Sequence, residues 1–152
     1  MASIEATDNP AIEPSISLTR IAVYGLLAII LTSLVNGLIH VLAVTVFDVP
    51  NVFALWWEPV LIASTVGAIG ATLVYGVLTR LSSRPNRTFT TVAVVVLVLS
   101  FAGPVNAYLS PPPDLVDAPW TVFATLVVMH VAAAATIIGV LTRTTNQEVA
   151  SR

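Results

Sequence analysis

Four long apolar stretches, parted by short polar breaks, make up most of this chain. The first runs between Arg20 and Asp48, 27 residues without a charge. A helix needs about 20 such residues to cross a bilayer, so this stretch predicts a tilted or projecting span. Read the same way, the chain predicts spans over 18–47, 59–79, 88–109 and 119–142. The expected fold is all-α: a four-transmembrane-helix bundle built as two hairpins, one membrane domain over 17–143. Residues 1–16, with Pro10 and Pro14, and residues 144–152 read as polar tails.

Polar and small positions inside the spans keep helical spacing. In span one Tyr24, Ala28, Thr32, Asn36 and His40 recur every four residues, with Ser33 and Gly37 beside them, so they share a face. In span two Ser64, Ala68, Thr72 and Gly76 form a stripe, with Ala63, Gly67 and Ala71 alongside. Small-residue stripes let helices approach closely, which makes span two the expected packing helix and a candidate surface for a protein partner or a second copy. Span three is β-branched or leucine over Val92–Leu99 and then changes to Ser100, Gly103, Pro104 and Asn106. Pro104 cannot donate to the Ser100 carbonyl, so a kink or a wet pocket is expected there. Span four carries His130.

The breaks have their own chemistry. Asp48-Val49-Pro50-Asn51 ends span one, Trp56 and Trp57 suit a membrane interface, and Glu58-Pro59 opens span two. Ser110-Pro111-Pro112-Pro113-Asp114 forms a stiff loop. Ser17, Asn86 and Asp117 are the expected N-caps of spans one, three and four. A short repeat, Gly76-Val77-Leu78-Thr79-Arg80 against Gly139-Val140-Leu141-Thr142-Arg143, admits a duplicated hairpin or chance likeness between apolar segments.

Charge orients this pattern. Arg80, Arg84 and Arg87 cluster between spans two and three, while Asp48, Glu58, Asp114 and Asp117 fall in the two loops of the opposite side. Positive loops are retained in the cytoplasm, so both termini are expected inside, in the cell membrane; the arginine loop also offers contacts to anionic headgroups. Composition narrows the chemistry. The chain has 152 residues, 57% hydrophobic and 9% charged, where a soluble domain carries roughly a quarter charged residues, so the lipid bilayer is its main solvent. The absence of cysteine removes thiol redox relays, iron–sulfur ligation and covalent haem attachment. The absence of lysine removes Schiff-base cofactors. A net charge of -2 with six basic residues makes nucleic acid an unsuitable partner. Met1 to Thr19 holds three acids and no base, unlike a secretory signal.

No Asp, Glu or Arg lies inside a span, Arg20 standing at the inner end of the first, which argues against a carboxylate-driven pump or a voltage sensor. Asn36, His40, Asn106 and His130 remain, with Glu58 at the rim. At about 1.5 Å per residue His40 lies about 10 Å deep and His130 about 16 Å deep, in reach of one pocket. Three readings compete. The leading one gives these groups to interhelical hydrogen bonds and assigns no cofactor. The second gives them an apolar ligand such as a quinone or lipid. The third makes His40 and His130 axial ligands of a b-type haem. Neither a metal-ligand spacing nor a catalytic constellation accompanies them.

Three short segments carry a resemblance: Arg84-Pro85-Asn86-Arg87-Thr88-Phe89-Thr90, then Leu99-Ser100 with Gly103-Pro104, then Met129-His130-Val131-Ala132-Ala133. Together they resemble a family of uncharacterised four-span membrane proteins, a domain of unknown function found in actinobacteria and halophilic archaea. The resemblance covers about residues 20–143, implies four helices, and points to His130 and the Arg84/Arg87 loop; it implies no activity. Avoidance of lysine with an acidic balance is similarly halophile-like. The function expected on this footing is that of a small multi-pass membrane protein, non-enzymatic, an accessory or structural subunit of a membrane assembly. The alternative is a binder of an apolar ligand or haem serving membrane electron transfer or transport.

Overall fold

Ser17 starts the first helix as expected: its hydroxyl accepts from the Arg20 N–H at 3.3 Å. The computed structural model describes residues 16–143, so the two tails lie outside the described residues apart from Ile16. Helix α1 spans Leu18–Thr45, α2 Trp57–Leu81, α3 Pro85–Ser100, α4 Ala102–Leu109 and α5 Trp120–Leu141. A single 3-10 turn, Phe53–Leu55, lies in the first loop. Taken together, α3 and α4 form one span over Pro85–Leu109. The four spans are 28, 25, 25 and 22 residues long with mean hydropathy between 1.9 and 2.2. At 1.5 Å per residue even the shortest exceeds the roughly 30 Å of a hydrocarbon core.

Some boundaries differ from the sequence reading, for local reasons. Asn86 does not cap α3. Pro85 takes the first helical position, where its missing N–H costs nothing, and Arg84 precedes it. The Asn86 side chain is thereby released for tertiary bonds. Likewise Pro119, not Asp117, precedes α5. The break between α3 and α4 falls at Phe101, three residues before Pro104, whose ring cannot sit against the Ser100 carbonyl. Asp48 adopts φ 50°, a left-handed conformation that a short polar side chain tolerates, and turns the chain after α1.

Partners across the helices fix the topology. Gly25 lies against Thr72, Gly37 against Trp57, and Asn36 bonds Ser64, so α1 and α2 are antiparallel. Tyr75 meets Asn86 and Phe89, and Tyr108 meets Phe123, so α2/α3 and α4/α5 are antiparallel too. Among the described residues the arginines therefore gather at one end and the loop acids at the other. Helix α1 packs against both α2 and α5. Span three is peripheral: among the described residues only Phe89 of α3 and Pro104 of α4 are buried.

Two apolar clusters close the ends of the bundle. One, at the acidic end, unites Ala43, Val49, Leu55, Val60, Leu115, Val122, Phe123 and Met129. The other, at the arginine end, unites Ala28, Ala68, Tyr75, Phe89, Ile137, Val140 and Leu141. Close approach of α1 and α2 depends on small residues. A Cβ on Gly25 would lie 2.5 Å from Thr72 Cγ2, and Ala28 and Ala68 are fully buried. In lipid such contacts supply dispersion energy that burial from water does not. Asn86 staples three helices at the arginine end. Its Oδ1 accepts from the Tyr75 hydroxyl at 2.8 Å and its Nδ2 donates to the Thr142 carbonyl at 3.2 Å.

Candidate functional site

Midway between the two clusters α2 and α3 part, and the space between them and α5 is a cavity of about 470 Å³. Three local features open it. Gly67 and Gly70 leave α2 without side chains there, and a Cβ at either would meet nothing within 4 Å. Ala133 and Ala134 do the same on α5, while α3 presents Val92, Ala93 and Val96. The wall is almost wholly apolar. The polar side chains that reach it are Asn36, Ser64, Ser100 and His130.

Their hydrogen bonds determine what each offers. The Ser64 hydroxyl donates one turn back to the Val60 carbonyl at 2.7 Å. It must therefore accept from Asn36 Nδ2, 2.9 Å away, which leaves Asn36 Oδ1 as a spare acceptor. That oxygen is buried and has no partner in the protein. His130 Nδ1 lies 2.6 Å from the Leu126 carbonyl. A carbonyl only accepts, so Nδ1 carries the proton, and in the neutral ring the lone pair is on Nε2. Ser100 spends its proton on the Leu97 carbonyl at 2.7 Å. The cavity therefore offers chiefly acceptors.

The sequence candidates separate into groups. Asn36 and His130 line the same cavity. His40 does not: it is buried on α1 with its ring against Trp57, centroids 4.5 Å apart. A haem held between His40 and His130 would need both rings to face one space, and this arrangement does not provide it. Glu58 is exposed in the first turn of α2, and Asn106 is exposed on α4. Of the span-two stripe, Ser64, Thr72 and Gly76 meet α1 and Ala68 is fully buried, while Ser64, Gly67 and Ala71 line the cavity. Arg80, Arg84 and Arg87 are exposed at one end of the bundle. Gly70 and Ala134 were not singled out by sequence. Their signal was smallness on a second face of each helix, which apolar spans display for many reasons.

Four apolar helices, each long enough to cross a bilayer and with large apolar side chains on the outside, make this a multi-pass membrane protein. Within that class, the chain belongs to the family described as "Family of unknown function (DUF6069)", whose model matches residues 16–147. No curated protein and no solved structure gives a match.

Proposed function

We propose that this protein binds a largely apolar, hydroxyl-bearing membrane ligand between α2, α3 and α5. The observation that carries this reading is the cavity of about 470 Å³ whose apolar wall is interrupted by His130 and by the Asn36–Ser64 pair. Mostly apolar pockets with a few convergent polar groups are the usual form of small-ligand sites. A chain of isoprenoid or acyl type fills the apolar length, and its hydroxyl donates to His130 Nε2. The site performs no bond-making step; it holds and orients its ligand. The arginine-bearing end faces the cytoplasm, because positive segments stay inside, so both termini are cytoplasmic in the cell membrane.

Binding of farnesol and of its methyl ether to the full chain in nanodiscs, corrected for partition into empty nanodiscs, tests this reading. The ether cannot donate, and losing one buried hydrogen bond of about 1.4 kcal/mol weakens binding about tenfold. Preference for the alcohol that disappears in His130→Phe supports the proposal. Equal binding of alcohol and ether to the wild type contradicts it.

A second reading, an accessory subunit that packs a partner helix along α2, is supported by the open flank at Gly67 and Gly70. It predicts that Gly67→Leu changes the size of the complex extracted in mild detergent. Under the ligand reading the size is unchanged.

A further inference from the structure

Three buried polar atoms on consecutive turns of α1 have no partner in the protein: Thr32 Oγ1, Asn36 Oδ1 and His40 Nδ1. Their residues are 0%, 6% and 5% exposed. Elsewhere in the bundle such groups turn back on their own helix. Ser64, Thr72, Thr125 and Thr136 each donate to the carbonyl four residues earlier, and His130 Nδ1 does the same. Thr32 and His40 forgo that bond. His40 is held against Trp57 instead, and Asn36 is held by Ser64, which leaves Oδ1 turned away from that bond.

The spacing of the three matters. Four residues of helix rise about 6 Å. Two hydrogen bonds that meet at one water near its tetrahedral angle join atoms about 4.5–5 Å apart, a gap that side chains one turn apart close by leaning towards one another. An unpaired buried polar atom is costly, and internal water is the ordinary remedy where several such atoms converge. We propose that the Thr32–Asn36–His40 column is a binding site for ordered internal water, with one molecule bridging each successive pair. The first water accepts from the Thr32 hydroxyl and donates to Asn36 Oδ1. The second donates to the other lone pair of Asn36 Oδ1 and pairs with His40 Nδ1. The column runs from the middle of α1 towards its acidic end and touches the cavity at Asn36. It gives the α1 interface a wet seam that reaches the cavity wall. The inference stands without the ligand reading, since Thr32 and His40 lie off the cavity.

Thr32→Val gives a signed test, because valine keeps the shape and deletes the hydroxyl. If the column holds water, the variant loses an anchored molecule and its thermal midpoint falls by about 2–4 °C. If the column is dry, the variant removes an unsatisfied hydroxyl and the midpoint stays or rises, which overturns the proposal. Water-edited solid-state NMR of the wild-type chain in bilayers gives an independent answer should the variant not fold. Magnetisation from water is expected to reach the Thr32 and Asn36 side chains before it reaches Ala28 and Ala68. Build-up at Thr32 and Asn36 as slow as at the two alanines overturns the proposal.

Discussion

Gly25→Ala probes a close contact between α1 and α2. The new methyl would lie 2.5 Å from Thr72 Cγ2, 3.0 Å from Oγ1 and 3.3 Å from Cβ. Ordinary carbon contacts begin near 3.5 Å, so the methyl is about 1 Å too close. Rotating Thr72 does not relieve this. It breaks the 2.7 Å bond from Oγ1 to the Ala68 carbonyl and leaves Cβ where it was. The two helices must therefore separate, at a cost of about 1–3 kcal/mol for overpacking. Alanine recovers about 1 kcal/mol of helix propensity, so the net loss is about 2 kcal/mol at most. A double-mutant cycle with Thr72→Ala isolates the clash, because the propensity gain is common to both backgrounds. Steric-trapping or thermal unfolding measurements on the four proteins give the coupling energy. A value of about 1–3 kcal/mol is expected, because Thr72→Ala removes the 2.5 Å and 3.0 Å contacts and keeps only the 3.3 Å one to Cβ, so Gly25→Ala costs less in that background. Coupling below about 0.5 kcal/mol refutes the packing described for α1 and α2.

Other perturbations separate the remaining elements. Asn86→Ala removes the bonds to the Tyr75 hydroxyl and the Thr142 carbonyl, and unfolding should become easier by about 1–3 kcal/mol. Pro104→Ala restores a donor to the Ser100 carbonyl and removes the ring; spin-label distances across the α3–α4 junction should lengthen as the helix straightens. Ser64→Ala deletes the Asn36 bond between α1 and α2 and should cost about 0.6–2 kcal/mol by the same unfolding assay. Gly70→Leu fills open space and should leave the thermal midpoint within about 2 °C of wild type while occupying the cavity.

The architecture was legible because a bilayer leaves few choices. Uncharged runs of span length, bounded by Pro-rich breaks, had to be helices. The four-residue recurrence of Thr32, Asn36 and His40 correctly placed them on one buried face of α1. The division of the site was not legible. Depth along the helix put His40 and His130 within reach of one pocket, but depth says nothing of azimuth. Trp57 takes His40 to the α1/α2 seam, while His130 faces the space left by Gly67, Gly70 and Ala133. The role of Asn86 escaped for a similar reason. As an expected cap it was read locally, whereas Pro85 took the helix start and left the amide free to join α2 and α5.

Native mass spectrometry of the full chain released from its own membrane tests the ligand account most directly, with Gly67→Leu as the comparison. The account predicts a wild-type adduct whose mass identifies a hydroxylated isoprenoid or acyl compound, and its loss from a folded, size-unchanged Gly67→Leu protein. A wild type without an adduct, or an adduct equally retained by Gly67→Leu, would contradict it.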